Sequence, residues 1–431
     1  MRDYTDLTSG RSSTARRWLR STALGIAGLF AVAACDQLVD VDAPSRVIAT
    51  SLEDPSQADL LVNSVGADFE CAFAHYIVAQ GLVGNELEVA TGAIVIKEYD
   101  RRDFKSFGSS YASVLCESTV DVGVYKPLSI ARWDGDHLLG LLEKWTDAQV
   151  ANRQAKIATT AMYTGFSLVL LGEAMCSAAI DVGPEMTPAE LFAAAEARFT
   201  KALAAATAAN NTTILNAARV GRARALLRQG KKAEAAADAR LVPNGFTFNA
   251  TYSSDAPRRE NAVWTRNQRS QSFTIDPSFR ALTFAGVPDP RVAVTDQKRF
   301  AAGDGRTPLW TANKYPAATT PIPLATWREA RLIVAEAEGG QSAVTQINLL
   351  HAAAGLPPFN SSDPATIANQ ILYERKAELF LESHALGDIR QYAIPLTPAP
   401  GTVFKDGSGT YTNQTCFPLP DVERLNNPNI G

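Results

Sequence analysis

Charged side chains of both signs crowd one stretch near the end of the chain: Glu374, Arg375, Glu378, Asp388 and Arg390. Two carboxylates do acid–base work on a glycosidic bond when they flank it from opposite sides. Glu374 and Glu378 stand four residues apart, so on a helix they share one face, next to cations. That arrangement predicts an ion network joining the last long helix to its neighbours, and not a catalytic pair. His75, His137, His351 and His384 show no zinc-binding spacing and no HExxH motif. No GxSxG nucleophile turn occurs. Gly230-Lys231-Lys232 lacks both the earlier Gly and the Ser or Thr of a phosphate-binding loop. The expectation is a protein that is not an enzyme and carries no metal or cofactor. Binding is the chemistry left.

Aromatic residues beside polar ones supply it, because an apolar face plus a few placed hydrogen bonds is the general recipe for holding a solute. Trp264, Trp310 and Tyr315 are the aromatics with most potential surface in the segment 243–325, and Arg266, Asn267 and Asn313 lie beside them. Tyr99, Phe104 and Tyr111 in an earlier loop are candidates for an opposing wall. The competing reading of each aromatic is a place in the core. The segment 243–325 is rich in Pro, Gly, Asn and Ser and has no helical stripe. Loops this long in a compact protein usually carry function.

The elements that must position these residues are mainly helical. Residues 51–431 read as a single domain, with a helical scaffold over 51–242 and 326–392, the irregular lobe over 243–325 and a carboxyl tail over 393–431. Asp54-Pro55 predicts the first helix start, with Asp as cap and Pro in the first turn. Leu61, Val62, Val65, Phe69, Ala72 and Phe73 then recur at three- and four-residue steps, one buried face. Residues 84–127 read as loop with short elements. From Leu128 to Leu241 helices follow one another, including a long, largely apolar one over 151–175. Thr187-Pro188-Ala189-Glu190 and Thr326-Trp327-Arg328-Glu329 are capping boxes. Gly355 stops the helix that begins at Ser342, and Asp363-Pro364 opens the last long one. The stretch ARVGRARALLRQGKKAEAAADA resembles a tetratricopeptide repeat, with Gly221, Ala225, Gly230 and Ala235 where two helices approach closely. One such pair cannot bury its face alone, so its neighbours should stack as further, degenerate pairs.

The amino terminus has a different purpose. Arg11, Arg16, Arg17 and Arg20 precede the uncharged apolar run Ala23–Ala34, too short for the roughly 20 residues that span a bilayer. Residues 1–34 read as a secretory signal ending in Val32-Ala33-Ala34-Cys35, a bacterial lipobox with Cys35 as the acylated first mature residue. Residues 35–50 read as an acidic tether. The chain carries a formal net charge of −4, and loss of five Arg and two Asp with the signal leaves −7. An acidic mature protein is a poor nucleic-acid binder, so membrane attachment is expected through the lipid anchor. Cys71, Cys116, Cys176 and Cys416 remain, and an exported chain meets oxidising conditions. Three pairings are possible; proximity in sequence favours Cys71 with Cys116, leaving Cys176 with Cys416. Each would stabilise by roughly 3–4 kcal/mol on the loop-entropy argument.

Four blocks in order resemble the SusD/RagB family of nutrient-uptake lipoproteins: VAACDQLVDVDAP, WREARLIVAEAE, ILYERKAELFLESHALGDIRQY and CFPLPDVERLNNPNIG. The likeness spans nearly all of residues 35–431. It departs at Ser383-His384, where the family has Glu-Gly, and at Ala385, near the family's Arg. The resemblance implies a scaffold of tetratricopeptide-like helical pairs with an irregular ligand lobe packed on it. It further implies a glycan ligand, with peptides as the other class, stacked on aromatic faces. The implied partner is a SusC-like TonB-dependent transporter, with the protein lipid-anchored in the outer membrane and facing the exterior. The alternative reading is a helical-repeat lipoprotein that binds protein partners and no solute.

Overall fold

The computed structural model describes residues 53–430; the expected signal, Cys35 and the tether lie outside the described residues. Pro55–Gln57 form a 3-10 turn, and α1 follows over Ala58–Val83. Leu61 and Val62 are only partly buried, whereas every residue from Phe69 to Val83 is buried. The expected one-sided stripe therefore describes only the first turns. Beyond them helices enclose α1 on one side and the early loop and lobe on the other.

Between α1 and the next long helix lie β1 (Leu87–Val89), α2 (Ile94–Arg101) and α3 (Ser110–Ser113). Then come α4 (Tyr125–Lys144) and α5 (Arg153–Ala174), followed by the hairpin of β2 (Ala178–Ala179) and β3 (Glu185–Met186). Next are α6 (Pro188–Ala208), α7 (Thr212–Arg228) and α8 (Lys232–Arg240). Gly66 faces Tyr163 and Phe69 faces Phe166, so α1 and α5 run in the same direction. Gly165 meets Phe199 and Gly172 meets Phe192, so α6 runs back along α5. Alternating directions of this kind are those of stacked helical hairpins. The fold is mainly α, as the sequence predicts.

Helix α5 is long and apolar enough to cross a membrane, yet 94% of its most apolar window is buried within the protein. It is the central helix of the core. Glycines let its neighbours approach. A Cβ at Gly221 would stand 2.3 Å from the Phe199 ring, and one at Gly165 would stand 2.8 Å from it. Of the four small residues expected at close contacts, Gly230 serves otherwise: nothing lies near it, and its φ of +76° makes the turn between α7 and α8.

The lobe leaves the scaffold after α8 and returns before α10 (Trp327–Glu338). Its two ends pair: β4 (Thr247–Ala250) is antiparallel to β10 (Ile322–Thr326). Inside it, α9 (Ala262–Trp264) runs into a π turn over Thr265–Arg269. Strand β5 (Phe273–Ile275) pairs with β1, and β6 (Thr283–Phe284) with β7 (Val287–Pro288). The longest hairpin joins β8 (Val294–Phe300) to β9 (Pro308–Ala312). The scaffold resumes with α11 (Gly340–Ala354), α12 (Pro364–Glu378) and α13 (Ala385–Tyr392), and α14 (Asp421–Asn426) closes the tail.

Local stop and start signals act as read. Thr187 and Glu190 complete a reciprocal capping box, and Asp363 accepts from Thr366 N at 2.7 Å. Gly355 ends α11 in the left-handed region. Thr326 accepts from Glu329 N at 3.1 Å, one half of the expected second box. The Glu329 side chain turns inward and is buried. Both favoured disulfides are present, Cys71–Cys116 and Cys176–Cys416. The second fixes the tail against the end of α5, where Phe417 N donates to Ala174 O at 2.9 Å.

The charged stretch forms the ion network that its spacing predicts. Glu173 accepts from Arg224 at 3.0 Å and from Arg228 at 2.8 Å. Asp388 accepts from Arg228 at 2.9 Å and from Arg375 at 2.7 Å. Glu374 pairs with His351 at 2.7 Å, and Glu378 with Arg328 at 2.8 Å. Arg390 donates to the carbonyls of Gly172, Glu173 and Met175, capping the end of α5.

Burial alone would raise the Asp388 carboxyl, but Arg375 and Arg228 outweigh it and hold it below its ordinary value. A depressed carboxylate stabilises above its unfolded pKa and loses that contribution as the pH falls through its folded one. Asp388→Asn leaves two buried guanidiniums short of a partner, and is expected to cost about 3–5 kcal/mol at neutral pH. Urea unfolding of the two proteins measures this; a loss below about 1 kcal/mol would mean the network is dispensable.

A second, half-buried carboxyl has the opposite sign. Burial, with Asp68 hydrogen-bonded beside it, pushes Asp134 on α4 up from 3.8 to about 7. Between those values the folded chain holds a proton that the unfolded chain has lost, so stability falls as pH rises and levels off above. Asp134→Asn removes this titration. Its melting temperature is expected to gain on the parent's between about pH 4 and pH 8, and a constant offset would contradict the raised carboxyl.

Candidate functional site

A polar cavity of about 230 Å³ opens where α1, the loop after Cys116 and the lobe meet. Helix α1 contributes Cys71 and His75. The Cys71–Cys116 bond holds the start of the facing wall, so that Ser118 and Thr119 line the cavity as well. The lobe supplies the rest from Pro257 to Ser270. Asn261 sets that segment: its Oδ1 accepts from Trp264 N at 3.2 Å, and its Nδ2 donates to Thr320 O at 2.9 Å. The π turn after Trp264 aims Arg266 inward and leaves Arg269 on the exposed edge.

Three guanidiniums stand in the lining, with Glu260 as its one carboxylate. Arg269 forms a fork with Glu260 at 2.7 and 2.6 Å. Arg258 bonds Asp68 and reaches Glu117 at 3.6 Å. Arg266 donates to the carbonyls of Thr119, Ser118 and Asp121, the latter two at 2.9 Å. Burial pulls its pKa down to about 10. His75 accepts from Gly123 N at 3.4 Å and, by burial and then the nearby Arg266, is brought down to about 3. It is therefore neutral, with its proton on Nε2. Among the described residues no group of three or more His, Cys, Asp or Glu is placed to hold a metal ion. Hydroxyls, guanidiniums and a carboxylate in one recess can bind a solute rich in oxygen.

The residues picked out from sequence divide in this setting. Tyr99 is fully buried and donates to Val122 O, and its ring packs edge-on against Phe104 and Phe417. Phe104 and Tyr111 join the same cluster, so the expected opposing wall is core. Tyr315 is 1% exposed and donates to Leu381 O at 3.0 Å, a core residue and not a ligand contact. Asn267 is 1% exposed; it donates to Phe273 O and Trp310 O and accepts from Ala312 N, which fixes the lobe strands. Arg266 is also buried, but it lines the cavity. Asn313 is exposed, and its Oδ1 accepts from Thr295 at 2.9 Å. Trp264 and Trp310 are half-buried against the core, with Arg269 over the first at 5.5 Å and Arg280 over the second at 5.6 Å. A guanidinium thus occupies a face of each indole. Trp264 adjoins the cavity through Arg269, which lines it.

Sequence reasoning missed Glu260, Arg269 and the wall at Ser118 and Thr119. It also missed the aromatics that are in fact exposed, Phe107, Phe300 and Trp133. Trp133 stacks on His137 with ring centres 4.9 Å apart. Helical spacing could have found it, since it stands on the opposite side of α4 from buried Leu142.

No protein-family profile and no curated protein matches the sequence. Solved structures do. A SusD superfamily protein from Bacteroides vulgatus superposes with a TM-score of 0.64 at 15% identity, covering 88% of this chain and 98% of its own. A SusD-like carbohydrate-binding protein from the same species gives 0.62 at 16% identity, covering 88% and 97%. A SusD-like protein from Bacteroides fragilis gives 0.66 at 12% identity, covering 89% and 98%. Helical pairs in this order, a lobe inserted before α10 and near-complete coverage of those neighbours lead to one conclusion: the chain has the SusD fold.

Proposed function

We propose that the protein is a lipid-anchored solute-binding protein of the outer membrane that captures glycan at the cell exterior and passes it to a SusC-like TonB-dependent transporter. The SusD fold over most of the chain carries this reading. One of the neighbours is described as carbohydrate-binding. The lipobox at Cys35 supports surface anchoring, since acyl chains on one residue can hold an acidic protein that has no electrostatic attraction to anionic lipid. The cavity beside Trp264 is the proposed capture site. Its hydroxyl and guanidinium donors match the hydroxyl oxygens of a sugar, while Trp264 braces the Arg269 guanidinium at the rim. The protein binds and does no chemistry on its ligand in this reading.

Two measurements test it. Cys35→Ala is expected to move the protein from the membrane fraction to the soluble exported fraction and to abolish palmitate labelling. An unchanged distribution would remove the anchor. The intact lipoprotein, purified in mild detergent, is expected to bring down a TonB-dependent transporter and to bind oligosaccharides in preference to peptides. Trp264→Ala should weaken glycan binding about tenfold, or roughly 1.4 kcal/mol. Binding of no glycan, with no transporter recovered, would overturn the proposal.

A further inference from the structure

We propose that the cavity selects sugars bearing an anionic group, a carboxylate or a sulfate, and that Arg266 and Arg269 read that group. The inference rests on the capture-site reading above and names its substrate class. Its basis is an imbalance in the lining. The cavity wall holds three guanidiniums and a single carboxylate, although the chain as a whole is acidic.

Arg266 is the centre of that imbalance. It is 4% exposed and forms no ion pair among the described residues. The Asp121 carboxylate favours its charge from nearby, but only the Asp121 carbonyl is bonded to it. Its three hydrogen bonds all end on neutral carbonyls. A guanidinium has five N–H donors, so two stay uncommitted. Asp121 offsets only part of the cost of burying this cation, without bonding it through its carboxylate, and an anion entering beside Arg266 offsets more.

Arg269 stands at the rim of the same recess. Its fork already grips a carboxylate, that of Glu260, which shows that the geometry suits one. An incoming acid group can share or displace Glu260 there. The third cation is less available, because Arg258 is held by Asp68 and Glu117 outside the lining. Ser118 adds a hydroxyl: its Oγ accepts from Asp121 N at 2.9 Å and keeps its own proton to donate. His75 is neutral and adds no charge. At about 230 Å³ the recess is smaller than the ~300–1,000 Å³ that encloses a drug-sized molecule. It suits one sugar ring, with any further units along the surface.

The test uses the detergent-purified mature lipoprotein and three probes: trigalacturonate, a sulfated chondroitin disaccharide and neutral galactotriose. Calorimetric titration is expected to show at least one acidic probe binding tenfold or more tighter than the neutral one. That preference should shrink as salt is raised from about 50 to 500 mM, and the better of the two acidic probes identifies the group. Arg269→Gln should cut the acidic-to-neutral ratio at least threefold without altering the melting temperature. Arg266→Lys keeps the charge and should retain more of the ratio than Arg266→Gln. Circular dichroism shows whether the Arg266 variants fold, and Arg269→Gln decides alone if they do not. Equal binding of acidic and neutral sugars would overturn the inference while leaving glycan capture standing. Binding of none of the three would overturn the inference, and, if no transporter is recovered and no other glycan binds, the capture reading with it.

Discussion

Two carboxylates shared among three guanidiniums, all with largely buried side chains, set the frame of this protein. Glu173 on α5 receives Arg224 and Arg228 from α7, and Asp388 on α13 receives Arg228 again with Arg375 from α12. Four helices from three separate stretches of the chain are thereby fixed in one register. Charged groups tolerate burial only when each finds its partners, so a shift of one helix by a turn would strand several at once. Apolar packing alone is less selective: sliding α5, rich in Ala, Leu and Gly, exchanges one apolar contact for another. The ions say which arrangement is the right one. The same end of the molecule carries two further polar ties, to the end of α1 and to the turn just after it. Gln80 accepts from Leu386 N at 3.1 Å, and Glu86 accepts from Leu381 N at 2.7 Å.

With α1 so placed, the capture recess follows. Cys71 and His75 lie on the buried part of α1, and the disulfide from Cys71 draws residues 116–119 over them. Arg266 then bonds three carbonyls of that loop from the lobe side. The recess is therefore assembled from three separate stretches of chain, each anchored by a different kind of bond. Its polar lining and the apolar floor of the neighbouring core are products of the same contacts.

Sequence reading succeeded where the chain itself decides the outcome. A Thr three residues before a Glu, an Asp before a Pro and a Gly after a run of Ala act within one helical turn, so Thr187, Asp363 and Gly355 behave as read. The Glu374–Arg390 network was legible because charges at four-residue spacing on an apolar helix have few other roles. The site was much less so. Tyr99 and Tyr315 look like loop aromatics in sequence, yet their burial is decided by Phe417 and Leu381, residues distant along the chain. Asn267 likewise pairs with strands that no local pattern announces. Arg269 and Glu260 form a fork only because the π turn brings positions nine residues apart together.

The narrow neck of the lobe has a consequence for how such a molecule can change. Strands β4 and β10 bring the departing and returning chain side by side, yet the lobe is tied to the scaffold well beyond them: Arg291 pairs with buried Glu374, and Lys314 and Tyr315 reach Glu382 and Leu381. Insertions at an exposed turn such as Ala285-Gly286 leave the helical hairpins undisturbed, whereas replacement of the whole lobe removes the cation that faces buried Glu374 on α12. The early segment is tied in as well, since β1 pairs with β5 and Arg266 grips the loop at 118–121. A graft that re-tools the protein for a new cargo must accordingly carry 84–124 together with 247–326 and keep a cation opposite Glu374 and Glu378, the point where cargo lobe and scaffold share charge.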